Sequence, residues 1–137
     1  DVLGDAVSTA ARIESKCKEY GMVLLIGEAT YALTYDDFFY LKLDDLSVKG
    51  KSVGIGIYTA LDDIKPKYNI SKRYHDDMMK HYKEQNFRKA ITLCVMLKGH
   101  FDNKMDGYYD MWIERCEYML TQDLSEDWDG IFRATTK

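Results

Sequence analysis

The sequence predicts an α+β fold that is followed by a helical extension. An amphipathic segment, a short apolar run, a second helical segment and two alternating stretches around K-G-K follow one another along the first 61 residues. The order helix, strand, helix, hairpin is typical of an α+β unit. Beyond the only proline, Pro66, apolar residues recur at helical spacing. With 46% hydrophobic residues among 137, a buried core is expected.

The α+β part begins with a predicted helix over residues 5–20, which carries Cys17 among its apolar positions. Gly21 follows it, where the end of a helix favours a left-handed residue. The apolar run MVLLI, residues 22–26, predicts a buried strand because it is short and continuous. GEATYAL, residues 27–33, then predicts a short helix with Tyr31 and Leu33 packed inward. Residues 38–61 alternate apolar and polar side chains around Lys49-Gly50-Lys51, which predicts a hairpin with Gly50 at or beside its turn.

A change of composition over residues 62–69 predicts a linker at Pro66, so we divide the chain into residues 1–64 and 65–137. The first apolar set beyond the linker predicts a helix-loop-helix or two short helices. It comprises Tyr74, Met78, Tyr82, Phe87, Ala90, Cys94 and Leu97. Residues 99–107 predict a break before another helix over residues 108–120. The apolar face of that helix comprises Tyr109, Trp112, Ile113, Cys116 and Leu120. In the tail, Ser125 is a predicted cap, and Trp128 and Phe132 are expected to dock on other residues.

Composition excludes several classes of function. The net charge of −4, with both signs interleaved, gives no electrostatic reason to expect nucleic acid or an anionic membrane surface as partner. The three cysteines are scattered without a CxxC pair, which predicts reduced thiols in a cytosolic compartment. No apolar run approaches the roughly 20 residues that span a bilayer. The histidines, His75, His81 and His100, lack the spacing of a metal site and are expected to be solvated.

Two local patterns could carry chemistry. Ser8 and Arg12 are four residues apart, so both project from one face of the predicted helix. Lys49 and Lys51 flank the expected turn glycine. Each pattern is common on solvated surfaces, and no Ser-His-Asp order, phosphate-binding glycine loop or paired carboxylates accompany them. Composition and spacing alone therefore indicate a cytosolic α+β fragment with a helical tail.

A family resemblance extends this interpretation. The motifs D-V-L-G-D-A-V-S-T-A-A-R-I-E-S, E-A-T-Y, D-D-F-F-Y, V-K-G-K and I-Y occur in order over residues 1–61. Together they resemble the C-terminal half of a class III nucleotidyl cyclase catalytic domain, whose helix reads approximately G-D-x-V-N-x-A-x-R-x-E. The matching residues are Gly4, Asp5, Val7, Ala10, Arg12 and Glu14, whereas Ser8 stands at the position of the family asparagine. The resemblance implies a ferredoxin-like α+β sandwich with a mostly antiparallel sheet.

The resemblance also implies roles for five residues. Asp1 would accept a hydrogen bond from the exocyclic amine of adenine, which favours ATP over GTP. Arg12 would stabilise charge on the α-phosphate in the transition state. Ser8 would orient the ribose through a water molecule, because its side chain is shorter than asparagine. Lys49 would hold the β- and γ-phosphates, with Lys51 as the neighbouring alternative.

The implied reaction converts ATP into 3′,5′-cyclic AMP and pyrophosphate with two divalent metal ions, Mg²⁺ or Mn²⁺. In this family two aspartates upstream of the matched motifs hold the metals. We therefore expect this chain to begin inside the domain, to hold no metal and to be inactive alone. A homodimer with active sites at its interface is expected as well.

The helical extension has a resemblance of its own. Tyr82, Phe87 and Ala90 form a Y-x4-F-x2-A pattern that resembles one tetratricopeptide-type hairpin. The W-D-G-I-F-R stretch resembles tails of bacterial cyclases with membrane helices, which implies a cytoplasmic segment of a protein in the inner membrane. Three alternatives stay open: a degenerate cyclase domain that binds or senses nucleotide, a helical-repeat interaction module without catalysis, and a guanylate cyclase.

Overall fold

The computed structural model describes residues 16–47, 54–61 and 64–133, which form two compact units. Residues 16–19, 131–133 and the described part of 23–61 make up the first, which we call the α+β unit. Residues 20–22 and 64–130 make up the second, which we call the helical unit. None of the helices in these ranges is both long enough and apolar enough to cross a membrane.

The α+β unit contains a three-stranded antiparallel sheet. Helix α1, helical over residues 16–20, precedes β1 (Ile26–Gly27), α2 (Glu28–Thr34), β2 (Phe39–Leu46) and β3 (Ile55–Leu61). The strands lie in the order β1-β3-β2. Phe39 pairs with Leu61 and Leu46 pairs with Ile55, with a register shift between Lys42 and Asp44. The α+β class and the predicted hairpin are therefore confirmed, whereas Gly50 lies outside the described residues.

Aromatic contacts join α2 to the sheet. Tyr31 of α2 stacks on Tyr58 of β3, with ring centroids 3.8 Å apart and an interplanar angle of 4°. The Tyr40 ring lies edge-on to Tyr31 at 5.1 Å, and its hydroxyl is 2.6 Å from the Thr34 hydroxyl. Such pairs stabilise a sheet face beyond the area they bury. The fully or nearly buried apolar side chains of the hairpin are Tyr40, Leu41, Leu43, Leu46, Ile57 and Leu61.

Two predictions for the α+β part are wrong. Only Ile26 of the run MVLLI belongs to a strand, and Val23 and Leu24 are 99% and 48% exposed. A continuous apolar run forms a buried strand only where other residues cover it, and in the described part of the chain nothing covers Val23. The helix α2 forms as predicted and Tyr31 packs inward, but Leu33 is 85% exposed.

The helical unit consists of α3 (Lys67–Lys83), α4 (Phe87–Leu97), a short turn (His100–Asn103) and α5 (Asp106–Met119). Helix α3 packs on α4, and α4 packs on α5. The two helices predicted from the first apolar set are confirmed. The buried apolar residues on the three helices are Tyr68, Met78, Tyr82, Phe87, Ala90, Cys94, Leu97, Tyr108, Tyr109, Trp112, Cys116 and Met119.

Several boundaries in the helical unit differ from the predictions. Helix α3 starts at Lys67, directly after Pro66, because proline is tolerated at the start of a helix. The linker is thus shorter than predicted, and α5 starts before Gly107. Tyr74 and Leu120 are 40% and 39% exposed, so their predicted burial is wrong. No helix follows Ser125 in the stretch 121–133. The Ser125 hydroxyl instead accepts a hydrogen bond from the Asp127 amide within a turn.

Three successive left-handed residues form the connection between α4 and α5. Phe101, Asp102 and Asn103 have φ angles of 46°, 53° and 66°, in a region that costs a non-glycine residue about 1–2 kcal/mol. Phe101 is 1% exposed and lies edge-on to Tyr68 at 5.2 Å, so its burial offsets part of this cost. The turn is therefore held by packing as well as by the polar contacts of Asp102 described below.

The tail docks on the helical unit through Trp128, as predicted. The Trp128 ring lies 5.3 Å from Tyr82 and 5.9 Å from Phe87, with both pairs edge-on. The side-chain amide of Gln85 donates to the Ser125 carbonyl at 2.7 Å and fixes the approach of the tail. Phe132, in the α+β unit, is half-buried.

Candidate active site

The five residues that the sequence assigns to the site lie outside the described residues. Asp1, Ser8 and Arg12 belong to residues 1–15, and Lys49 and Lys51 belong to residues 48–53. The roles of the five residues therefore stay predictions. The structure describes helix α1, which follows residues 1–15, and strands β2 and β3, which flank residues 48–53.

The hairpin fixes both ends of the segment that carries Lys49 and Lys51. Leu46 and Ile55 form the last pair in register, so the connection leaves and re-enters the sheet at adjacent positions. Near this end, Lys42 forms an ion pair with Asp45 at 3.0 Å. Asp44 is 2% exposed and accepts the Asp45 amide at 2.8 Å. Both carboxylates on β2 thus have partners within their own strand.

A tyrosine and a glutamate lie on the β3 side of the hairpin. The Gly56 amide donates to Glu28 Oε1 at 3.3 Å, and a Cβ at Gly56 would lie 3.1 Å from the Tyr58 hydroxyl. Desolvation, and then the neighbouring Tyr31, Glu28 and Asp45, raise the pKa of Tyr58 to about 12. Tyr58 therefore remains protonated at neutral pH and does not act as a base there.

Helix α1, which follows the undescribed residues 1–15, ends in a buried aromatic residue. Tyr20, the last residue of α1, has no solvent exposure, and the ring of Tyr108 lies 6.3 Å from it at 70°. The Arg115 guanidinium carbon lies 5.9 Å from the centre of the Tyr20 ring. Sequence reasoning missed Tyr20, although an aromatic residue directly before a helix-ending glycine is a visible signal.

The polar centre of the helical unit is Asp102. Its carboxylate accepts hydrogen bonds from Lys65 Nζ at 2.5 Å, Lys67 Nζ at 3.1 Å and the Tyr68 hydroxyl at 2.6 Å. The hydrogen bonds from Lys65, Tyr68 and Lys67, in that order, hold the pKa of Asp102 well below its usual range. Because all three donors connect the left-handed turn to the start of α3, this cluster has a structural role.

The histidine prediction is wrong for His75. This residue is fully buried, and its Nδ1 lies 2.8 Å from the Tyr109 hydroxyl. His100 is half-buried, with Nδ1 2.8 Å from the Ser71 hydroxyl. Burial raises the pKa of Tyr109 well above its ordinary value, so at neutral pH the phenol is protonated and can donate to the imidazole.

Thiol and metal chemistry find no support in the described stretches. Cys94 and Cys116 are buried free thiols, whereas Cys17 is half-buried. Burial raises the pKa of Cys116 to about 12 and raises that of Cys94 further, so neither thiol forms a nucleophilic thiolate at neutral pH. Across residues 16–47, 54–61 and 64–133, no group of His, Cys, Asp or Glu side chains is arranged to hold a metal ion.

Comparison with known proteins gives two relevant relatives. The chain is 32% identical over 121 residues to a Dictyostelium discoideum protein named "Adenylate cyclase, terminal-differentiation specific". That match covers 83% of the chain but 6% of the relative. The chain is also 47% identical over 60 residues to an adenylate cyclase of Anabaena cylindrica, which covers 42% of the chain and 12% of that protein. No family model matches the sequence, and no solved structure matches it.

These similarities support the cyclase family to which the motifs point. The chain spans only a small part of the length of either relative. Because the first match covers 83% of the chain, it extends past residue 61 into the helical unit. The helical unit is therefore part of what this chain shares with the Dictyostelium protein.

Proposed function

We propose that the chain is part of a class III adenylate cyclase that converts ATP into 3′,5′-cyclic AMP and pyrophosphate. Its similarity to two proteins named adenylate cyclase carries the proposal. The helix motif around Arg12 and the V-K-G-K stretch supply the residues that the reaction needs. In the proposed protein the chain supplies the C-terminal half of the catalytic domain and its helical extension.

The reaction is an intramolecular displacement. The ribose 3′-oxygen attacks the α-phosphorus, the bond from that phosphorus to the β-bridging oxygen breaks, and pyrophosphate leaves while the 3′-hydroxyl proton is lost. Negative charge grows on the α-phosphate oxygens during this step. The guanidinium of Arg12 is always charged and presents a rigid fork of donors, so it suits this charge.

The remaining assigned residues bind and orient the nucleotide. Asp1 accepts a hydrogen bond from the exocyclic amine of adenine. Guanine has a carbonyl at the same position, and the carboxylate of Asp1 would repel it. Lys49, in the hairpin connection, neutralises the β- and γ-phosphates, and Lys51 is the alternative. The register of β2 and β3 supports this assignment, because it fixes both ends of the connection. Ser8 orients the ribose through water.

We propose that carboxylates outside this chain hold two Mg²⁺ or Mn²⁺ ions, and that the isolated chain is inactive. We also propose a homodimer, in which one protomer contributes the metal ligands and its partner contributes Arg12. The chain's own contribution is then to bind adenine, hold the phosphates and stabilise the transition state.

The test uses the complete protein that contains this chain and the metal-binding part of its domain. Purified protein is incubated with ATP or GTP and Mn²⁺, and both cyclic nucleotides are quantified. Cyclic AMP should form from ATP in clear excess over cyclic GMP from GTP. Lys49→Ala should raise the KM for ATP more than Lys51→Ala. Cyclic GMP as the main product would contradict the role of Asp1.

Ser8 favours a second candidate function, a degenerate domain that binds nucleotide without cyclising it. Serine lacks the amide with which the family asparagine orients the ribose. Ser8→Asn separates the two candidates, because it restores the family residue at this position alone. A rise in the rate of cyclic AMP formation supports a cyclase whose rate is lowered by Ser8. ATP binding without product in both wild type and variant supports the degenerate domain.

A further inference from the structure

Helix α4 presents an exposed face that is both apolar and cationic. Val95 and Met96 are 58% and 39% exposed, and Arg88 and Lys89 are exposed near the start of the helix. Residues 88, 92 and 95 are spaced by four and three, and residues 89 and 96 by seven, so they lie along one side of α4. Helix α4 contains no acidic residue. Its exposed face therefore combines apolar side chains with positive charge alone.

Helix α5 presents the opposite charge. Its acidic residues are Asp106, Asp110, Glu114 and Glu117. Their spacing of four, four and three residues places them on one face of the helix. The last three of them are exposed. This face of α5 is therefore acidic from the first turn of the helix to the last.

The energetics of the separate helices disfavour this distribution of charge. Arg88 and Lys89 lie in the first turn of α4, where the helix macrodipole favours acidic side chains. Glu117 lies in the last turn of α5, where the macrodipole favours basic ones. Asp110 and Glu114, four residues apart, repel each other as well. Within the stretches that the structure describes, the two cations and the two glutamates form no ion pair. Charges that oppose local stability are expected where they serve a function.

The two faces belong to neighbouring helices that run in opposite directions. The Gly99 amide, just after α4, donates to Asp106 at the start of α5 at 2.8 Å. Lys98 pairs with Asp110 at 2.6 Å, and both side chains are exposed, so the outer surfaces of the two helices meet there. In such a helical hairpin the start of α4 lies beside the end of α5. The two cations of α4 therefore lie at the same end of the unit as the last acidic residues of α5.

We propose that these faces bind a second copy of the chain, with α4 of one copy against α5 of the other. One chain carries both halves of a complementary pair, so two identical surfaces satisfy each other under twofold symmetry. The cations at the start of each α4 then meet the partner's Glu114 and the partner's Glu117, and Val95 and Met96 leave water at the same contact. The inference concerns the helical unit alone and does not depend on the cyclisation of ATP.

The first measurement is the dissociation constant of the dimer, by sedimentation equilibrium of the complete protein that contains this chain. Arg88→Glu with Lys89→Glu should raise it on the order of 10- to 100-fold, because acidic faces then oppose each other. Glu114→Lys with Glu117→Lys should raise it likewise. The four substitutions together invert both faces and should restore a value near wild type. All four agree with the helix macrodipole, so they do not weaken their own helices.

A matched control separates this contact from an effect of net charge. Arg73→Glu with Lys80→Glu changes two exposed cations of α3 and alters the net charge by the same amount as the α4 variant. It should leave the dissociation constant near wild type. An equal rise in this control, or no recovery with the four substitutions together, would overturn the proposal. A wild-type protein that stays monomeric would also overturn it and would leave the α4 face to an acidic partner of another kind.

The second measurement locates the contact by covalent linkage. Two copies with different affinity tags are co-expressed and purified through both tags. One carries Lys89→Arg and the other carries Glu114→Gln with Glu117→Gln, so a carbodiimide can join Lys89 to either glutamate only between copies. Such a link should form, and its absence would overturn the proposal. If the protein forms no cyclic AMP, the proposed function is contradicted, whereas both measurements still decide whether the helical units associate.

Discussion

An alanine at Gly21 should destabilise the helical unit, whereas an alanine at its neighbour Gly107 should not. The φ of +63° at Gly21 costs a residue with a Cβ about 1–2 kcal/mol. The new Cβ would also meet the Gly107 backbone at 3.2 and 3.3 Å, and overpacking of this kind adds about 1 kcal/mol. The two effects together predict a loss of about 2–3 kcal/mol.

Gly107 provides the matched control, because it belongs to the same contact and differs in conformation. A Cβ at Gly107 would lie 3.6 Å from both Cα and O of Gly21, an ordinary van der Waals distance. Gly107 lies in the first turn of α5, where alanine is preferred over glycine in a helix by about 0.5–1 kcal/mol. Gly107→Ala should therefore leave stability unchanged or raise it slightly.

Urea unfolding followed by tryptophan fluorescence measures the stability of the helical unit in both variants. Both tryptophans, Trp112 and Trp128, belong to the helical unit, so the signal reports its unfolding. With a slope of about 1–2 kcal/mol per M urea, Gly21→Ala should lower the midpoint by about 1–3 M. Equal midpoints for the two variants, or a larger loss in Gly107→Ala, would refute the backbone contact.

Three further predictions concern polar groups. Asp102→Asn should lower the Tm at pH 7, and the difference from wild type should shrink as the pH falls below about 4. The reason is that the pKa of the carboxyl is lowered in the folded state, so its stabilising contribution is lost on acidification; a difference that does not depend on pH would contradict it. Tyr109→Phe removes the hydroxyl that bonds His75 and should cost about 1–2 kcal/mol in chemical unfolding, whereas Tyr35→Phe on the exposed surface should cost almost nothing. A cost for Tyr109→Phe no larger than that of the control would contradict the buried hydrogen bond. Ultraviolet titration of Tyr58→Phe should lack one phenol ionisation near pH 12, and in wild type the free energy of unfolding should fall as pH rises from about 10 to 12, because the unfolded chain releases that proton first. A Tyr58→Phe titration curve that matches wild type would contradict the raised pKa.

The parts of the fold that local pattern determines could be predicted from the sequence. The hairpin followed from alternation in residues 38–61, and the two strands pair as expected. The prediction of a buried strand from the run MVLLI failed for a physical reason. A continuous apolar run shows that its side chains favour burial, but whether other residues cover them depends on contacts that are distant in sequence. Val23 and Leu33 are both apolar and both exposed, so an apolar side chain is not necessarily a buried one.

His75 shows where a finer use of periodicity would have succeeded. The buried face of α3 follows the spacing of residues 68, 71, 75, 78 and 82, which contains His75 and not Tyr74. Hydrophobicity favoured burial of the adjacent Tyr74. The helical phase set by Met78 and Tyr82 instead favours burial of His75. Its partner, the hydroxyl of Tyr109, lies 34 residues away and no local pattern could indicate it.

The candidate site depended on resemblance far more than on physical pattern. Ser8 and Arg12 share a face of the predicted helix and Lys49 adjoins the predicted turn glycine. Neither predicted arrangement separates an active site from a solvated surface. Their chemical roles came from the order of several motifs along the chain. Tyr20 was within reach of physical reasoning alone, but its burial depends on Tyr108 and Arg115, which are distant in sequence.

The most direct test of the account compares two arginine variants of the complete protein. Cyclic AMP formed from ATP is quantified for wild type, Arg12→Ala and Arg73→Ala, where Arg73 is an exposed residue of α3. The account predicts that wild type forms cyclic AMP, that Arg12→Ala loses on the order of 100-fold or more in kcat, and that Arg73→Ala remains near wild type. Wild-type kcat in Arg12→Ala, or no cyclic AMP from the wild-type protein, would contradict it.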